Sequence, residues 1–226
     1  MASSKPFLAA VTAGSLLCLA GAASGQSIDR KLVVSYVEAP VGATAALERS
    51  VQAYAAQARA NSAAPSVEIL HEVGRPNRIA VIERWPGDAT AADAGAEAFQ
   101  RAVDGKIEAP VDRRAFKPLV APLTPAAKTP FHVLMHVDVV PDGSAFGAKT
   151  LQAQREAVLA APGALGYEVA VQSDRANHFA LHETWASRAA YEAYVASPGG
   201  RDLRQQLAKY RGAPFDDRFY LSGGTK

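Results

Sequence analysis

Arg75-Pro-Asn77-Arg-Ile-Ala-Val-Ile-Glu83-Arg-Trp85 and Arg175-Ala-Asn177-His-Phe-Ala-Leu-His-Glu183-Thr-Trp185 are two copies of one stretch, offset by 100 residues. Each reads as a tight turn running into a strand of alternating residues that ends in Glu-x-Trp. Arg75/Arg175, Asn77/Asn177, Glu83/Glu183 and Trp85/Trp185 all keep the offset, and these two tryptophans are the only ones in the chain. Working outward, Glu68 matches Glu168, Gln52-Ala53 matches Gln152-Ala153, and Val33 and Val37 match Val133 and Val137. Further on, at an offset of 104, Ala109-Pro110-Val-Asp112-Arg-Arg114-Ala-Phe116 matches Ala213-Pro214-Phe-Asp216-Asp-Arg218-Phe-Tyr220. A unit of about 90 residues is duplicated; solenoid repeats are shorter, about 20 to 50 residues.

Within the first unit, Leu32 to Glu38 alternates and is rich in β-branched residues, which predicts a strand. Ala43 to Asn61 then places Leu47, Val51, Tyr54 and Ala58 on one helical stripe. Val67 to Val73 and Arg78 to Trp85 are strands joined by the turn Gly74-Arg-Pro-Asn77. A second helix carries Ala92, Ala96, Phe99 and Val103, and Asp112 to Leu119 is a fourth strand. The second unit repeats the order: strand 131–140, helix 144–161, strands 167–172 and 178–185, helical pieces split by Pro198-Gly199-Gly200, and strand 216–221. The fold class is therefore α+β, two ferredoxin-like βαββαβ units. The first covers 31–120 and the second 131–222, joined by a stiff Pro-rich linker at 121–130.

A four-stranded sheet with both helices on one face leaves the other bare, and two such units can cover each other, sheet against sheet. Phe131, Val133, Met135, Val137 and Val139 suit the helix side of the first strand of unit two, which leaves His132, Leu134, His136 and Asp138 facing the opposite sheet. Leu32, Val34, Tyr36 and Glu38 are their counterparts. A wall mixing apolar bodies with a few polar heads predicts a small-molecule chamber between the sheets.

Composition excludes several classes. Hydrophobic residues make up 49% and charged residues 20%, so a core is available and disorder is not indicated. A net charge of +2 without a basic cluster argues against nucleic acid. Residues 1–25 read as an export signal: Lys5 precedes an apolar run from Phe7 to Ala20, with small residues at Ala20-Gly-Ala22 and Ala23-Ser-Gly25. That predicts a periplasmic or secreted protein, and the run is too short for a comfortable membrane span. Cys18, the only cysteine, falls inside this segment, so no thiol chemistry is expected after its removal. No metal-ligand pattern, phosphate-binding loop or nucleophile motif is present.

The run Arg-x-Asn-x-Phe-x-Leu-x-Glu183-x-Trp185-Ala-Ser187-x-x-Ala190, followed by Ala193-Tyr194-Val-Ala-Ser197-Pro198 and Ala213-Pro214-Phe-Asp216-x-Arg218, resembles the antibiotic-biosynthesis monooxygenase domain of the dimeric α/β barrel superfamily. The resemblance spans residues 31 to 221 and is tighter in the second unit. It implies an intramolecular pseudo-dimer and a monooxygenase acting on a quinol or polyphenolic aromatic substrate with dioxygen, without metal or flavin. One alternative is an exported, non-catalytic binding protein for an aromatic or haem-like ligand; another, a structural interaction protein without a pocket, would show bulky residues filling the space between the sheets. Three departures matter. Tyr194 stands where family members usually carry His, and the segment after Trp85 is four residues shorter than that after Trp185, so the first unit is expected to have lost that wall of its site. Ser35 and Met135 stand near the strand position where haem-degrading relatives use Asn, which leaves haem a secondary expectation, with His136 or His182 as iron ligand.

Oxygenation without a cofactor needs a base, because a phenolate passes an electron to dioxygen far more readily than a phenol, and His suits that role. His136 and His182, mid-strand and read as neighbours across the sheet, are the catalytic candidates; His178 and His132 are read as turn-proximal and strand-end residues. Tyr36, Tyr194 and Asn177 are candidate donors to a bound oxyanion, and Trp85 and Trp185 either stack on a flat ring or anchor the core. Glu83/Glu183 with Arg114/Arg218 and Asp112/Asp216 read as a charge network fixing strand ends.

Overall fold

Alternating β-branched runs bounded by Gly, Pro and Asn give strands wherever the repeats predict them. The computed structural model describes residues 30–60, 65–87, 89–121 and 130–222. The export segment and most of the Pro-rich linker lie outside them. The first unit runs β1 (Arg30–Glu38), α1 (Thr44–Arg59), β2 (Ser66–Glu72), β3 (Arg78–Pro86), α2 (Ala89–Val103) and β4 (Asp112–Val120). The second runs β5 (Phe131–Asp138), α3 (Ser144–Leu159), β6 (Ala164–Gln172), β7 (Arg175–Trp185), α4 (Arg188–Ala196), α5 (Pro198–Leu207) and β8 (Asp216–Ser222). Each is the βαββαβ unit the sequence predicts.

The units close into one antiparallel barrel, in the order β1-β3-β2-β8-β5-β7-β6-β4. A lone ferredoxin-like sheet would expose β2 and β4 as unpaired edges, a liability for aggregation. Here β2 pairs with β8 and β4 with β6, so each unit caps the other's edges. The β4–β6 register shifts between Pro118 and Val120, where a residue lacking an N–H interrupts the ladder.

Both β2–β3 and β6–β7 turns are pinned by the repeated Asn. Asn77 Nδ2 donates to the Ala39 carbonyl at 3.2 Å and Asn177 Nδ2 to that of Val139 at 2.8 Å. Gly74 takes φ 82°, a left-handed conformation that suits glycine in the first of these turns. The Pro198-Gly199-Gly200 break falls one residue earlier than predicted. Ser197 caps α5, its Oγ accepting from the Gly200 N–H at 3.3 Å, and Pro198 opens the helix, where a missing N–H costs nothing.

Helices cover the outside, and the strand parity decides which residues meet them. Phe131, Val133, Met135, Val137 and Val139 pack under the helices of unit two with Trp185, Tyr191 and Leu203, as predicted. Inside the barrel the expected chamber is filled in its middle by Leu32, Val34, Leu70, Ile82, Phe116 and Leu134, among others. The void left there, touching Tyr36, His136 and His182, is about 10 Å³, room for about one water. Two twisted sheets whose edges are joined cannot splay apart, so their inner faces interdigitate.

Candidate functional site

Among the described residues, the roomiest cavity given by the closed barrel lies at its mouth. A cavity of about 230 Å³ opens there, lined by Tyr36, Glu38, Glu72, Arg78, Asp112, Arg218 and Tyr220, among others. Most of its wall comes from the first unit; the second contributes Arg218 and Tyr220 from β8. Expected mainly in the second unit, the pocket sits across the seam between the two.

Tyr36 and His136 hold equivalent positions on β1 and β5, and closure of the barrel brings them together. Tyr36 Oη lies 2.7 Å from His136 Nε2. Burial raises the Tyr36 pKa well above its usual value, so the phenol keeps its proton and can donate it to Nε2. His136 is pushed down to about 4, first by burial and then by the guanidinium groups of Arg114 and Arg218, which leaves a neutral imidazole. Phe116 stacks on it with ring centroids 6.3 Å apart. The Arg218 guanidinium lies 4.6 Å over the Tyr36 ring while paired with Asp216 at 2.6 Å. Tyr220, 1% exposed, lines the cavity with a buried hydroxyl that has no hydrogen-bond partner among the described residues. A neutral base behind a phenol, a fixed cation and an unpaired hydroxyl suit a ligand that carries, or develops, negative charge on oxygen.

Toward the start of β1 and β5 lies a second polar cluster. Arg84 donates to both oxygens of Glu168, at 3.1 and 2.7 Å, to Glu68 Oε2 at 3.2 Å and to His182 Nδ1 at 3.0 Å. Since a guanidinium only donates, His182 Nδ1 accepts, and its proton sits on Nε2. That Nε2 lies 2.9 Å from His132 Nδ1, and His132 Nε2 lies 2.8 Å from Ser222 Oγ. Donors therefore run in one direction, Arg84 to His182 to His132 to Ser222. Burial, then the neighbouring His182, pushes the His132 pKa down to about 4.

His132, read as a strand-end residue, is fully buried because β8 and β2 close over that end. It is this residue, not His136, that His182 touches. β5–β7 pairing sets Leu134 opposite His182 and His136 opposite Ala180.

The remaining predicted site residues lie on the helix side of the sheet, away from the mouth. Trp185 is buried against Tyr191 and Tyr194, ring centroids 5.9 and 5.2 Å away, and its Nε1 donates to Glu183 Oε2 at 3.0 Å. Gln154 donates to the Tyr194 hydroxyl. Trp85 packs with Val33 and Ala92, and a Cβ on Gly95 would run into its ring, so α2 sits directly on the indole. That close approach is the consequence of the shorter segment after Trp85. Asn177 is occupied by its turn.

Glu83 and Glu183 do not join the strand-end arginines. Glu83 pairs with Arg113 at 2.6 Å and accepts from Tyr54. Asp217 replaces Arg113 in the second unit and pairs with Arg204, so Glu183 has no ion-pair partner among the described residues, and burial, with Asp217 adding to it, raises its pKa to about 7. Arg114–Asp112 and Arg218–Asp216 do pair at strand ends, as expected, at 2.7 and 2.6 Å. Arg84, Glu68, Glu168 and Tyr220 escape a motif search, but parity was a usable signal, because each falls in the same alternation as Leu32 and Val34.

Residues 130–206, most of the second unit, match the model of the antibiotic biosynthesis monooxygenase family. No curated protein sequence matches the chain significantly. A candidate monooxygenase from Fusobacterium nucleatum superposes with a TM-score of 0.72 at 12% identity, over 85% of this chain and 92% of that one. For a second from Lactobacillus acidophilus the figures are 0.68 and 12%, over 86% and 94%. An anthrone oxidase-like protein gives 0.66 and 14%, over 88% and 93%. These structures share the fold across nearly the whole duplicated barrel. Among the described residues no helix is long and apolar enough to cross a membrane.

Proposed function

With an antibiotic biosynthesis monooxygenase domain in the second unit as the premise, we propose that the chain oxidises a quinol or polyphenolic aromatic substrate with dioxygen in the cavity at the barrel mouth. The family match supports a monooxygenase-like function; the substrate class and the site are our reading. The observation that carries it is the Tyr36–His136 contact at 2.7 Å beside the Arg218 guanidinium. A substrate hydroxyl against Tyr36 passes its proton to the phenol oxygen while Tyr36 passes its own to His136 Nε2. The anion so formed is stabilised by Arg218, and it is the anion that gives an electron to dioxygen. The quinol itself supplies the electrons: one oxygen atom enters the ring, the ring is oxidised to the hydroxyquinone, and the other oxygen takes up two protons and leaves as water, so neither flavin nor haem is required as reductant.

At about 230 Å³ the cavity is smaller than the roughly 300 Å³ at which drug-sized pockets begin, which favours a one- or two-ring quinol. Residues 1–25 support placing the protein outside the cytoplasm.

A second reading, a non-catalytic binding protein for an aromatic ligand, draws on one feature. A histidine held near pKa 4 is a weak base, whereas the unpartnered Tyr220 hydroxyl serves binding equally well. Oxygen uptake with a panel of hydroquinones separates the two. Uptake that falls at least about tenfold in Tyr36→Phe and in His136→Ala supports the oxygenase. Saturable binding with no uptake from any quinol assigns the binding role, and an absent Soret band after haem reconstitution excludes an iron-dependent version.

A further inference from the structure

The cluster at the other end of the barrel takes no part in the chemistry at the mouth, yet it holds two histidines and two glutamates. We propose that Glu68 Oε1, His132 Nδ1 and His182 Nε2 form a binding site for one divalent first-row transition-metal ion, with zinc as the reference. The three donor atoms already lie within 4.8 Å of one another. His132 Nδ1 is 2.9 Å from His182 Nε2 and 3.7 Å from Glu68 Oε1. Metal–ligand bonds of about 2.0 to 2.2 Å in a tetrahedral site place donors about 3.4 Å apart, so these two sides need to change by only about 0.5 Å or less, while the Glu68–His182 side, within 4.8 Å, closes as the carboxylate turns inward.

Charge and hydrogen bonding agree with this assignment. Arg84 is balanced by its two-oxygen contact with Glu168, and it occupies Oε2 of Glu68, leaving Oε1 on the histidine side. The Glu68 carboxylate is then the net negative charge that faces the ion. The Ser222 oxygen holds His132 Nε2–H and so turns the Nδ1 lone pair inward. On binding, the His182 proton moves from Nε2 to Nδ1, where Glu168 Oε2 lies 3.7 Å away and can accept it in place of the Arg84 contact. A carboxylate behind a ligating imidazole is the usual support of such sites. Glu68, with a side chain 27% exposed, supplies an entry path.

Comparison of the repeats shows that the fold does not need these histidines. Their counterparts on β1 and β3 are Leu32 and Ile82, fully apolar and equally buried. Glu68, by contrast, has its counterpart in Glu168, and both face the same Arg84.

The test is a titration of chelator-treated full-length protein with Co²⁺, read by visible d–d absorption, followed by competition with Zn²⁺ and by the melting temperature. One equivalent of each is expected, with Zn²⁺ raising the melting temperature. His132→Leu and His182→Ile, which restore the residues of the first repeat, and Glu68→Gln at the partly exposed carboxylate should each weaken binding at least about 100-fold, since even an outer partner is worth about 10 to 100-fold. Glu168→Gln should weaken it by about that outer-partner amount. His178→Ala removes a surface histidine paired with Asp138 and should change nothing. The proposal is overturned if no equivalent of Co²⁺ or Zn²⁺ binds, if binding survives in the folded Glu68→Gln and histidine variants, or if His178→Ala abolishes it.

Discussion

Acidification should unload a specific part of the stability of this barrel, and His136 sets the window. Its imidazole is closed in by Tyr36 and Phe116 and faces the guanidinium groups of Arg114 and Arg218, with Asp112 and Asp216 acting in the opposite sense. The folded pKa is about 4, against about 6.5 for a histidine in an unfolded chain. Between those values the unfolded chain holds a proton that the folded one does not, so stability rises with pH across the window and is lost as pH falls through it. At about 1.36 kcal/mol per pH unit the full excursion amounts to about 3 kcal/mol, a sizeable share of the about 5 to 15 kcal/mol that a domain possesses. His136→Gln keeps a carbonyl able to accept from Tyr36 but cannot titrate. Urea unfolding of both proteins, followed by the fluorescence of buried Trp85 and Trp185 at about pH 7.5, 6.5, 5.5 and 4.5, isolates the effect, because every other group cancels in the difference. The gap should be flat at the two higher values and then shift in favour of the variant by about 1.4 kcal/mol per unit. Parallel curves down to the lowest pH would refute the burial of a neutral imidazole at this site.

Four further outcomes are expected. Arg84→Met strands Glu168, only 2% exposed, in the barrel interior and should cost about 3 to 5 kcal/mol in urea unfolding. The double variant Arg84→Met/Glu168→Leu should recover most of that loss, because replacing a buried pair by apolar groups is often close to neutral. Gly200→Ala would drive a Cβ into the Tyr194 carbonyl at the α4–α5 corner, where backbone cannot give way, and should lower stability by about 1 to 3 kcal/mol with a change in near-UV dichroism. Trp185→Phe leaves the buried Glu183 carboxyl without its indole donor at 3.0 Å and opens space beside Tyr194, and a loss of about 2 to 4 kcal/mol on thermal unfolding is expected.

Much of the molecule is legible along the chain. The duplicated Glu-x-Trp strands, the β-branched alternation and the turn residues are local signals, and they yield the element order and the face each strand turns to the helices. Parity carries further than the motifs did. Glu83 alternates with Val81 and Trp85 on the helix side, whereas Arg114 alternates with Phe116 on the inner side, so their separation was already written in the alternation. Element ends show less in the sequence. His132, read as a strand-end residue, is fully buried near the start of β5, and the helix break read at Pro198-Gly199-Gly200 falls at Ser197, so that Pro198 opens α5.

The sequence by itself determined two βαββαβ units and an inner face mixing apolar and polar side chains, because those properties depend on neighbours a few residues away. Only the tertiary structure decided that the shared face is packed in its middle, leaving a cavity at the mouth. It alone set Tyr36 against His136, Arg84 against Glu168 and His132 against His182, pairs 50 to 100 residues apart in the chain. The first two meetings follow from β2 pairing with β8 and β4 with β6, whereas His132 reaches His182 across the β5–β7 pair, and the register between two edge strands is set by the fit of both complete sheets at once, which no local stretch encodes.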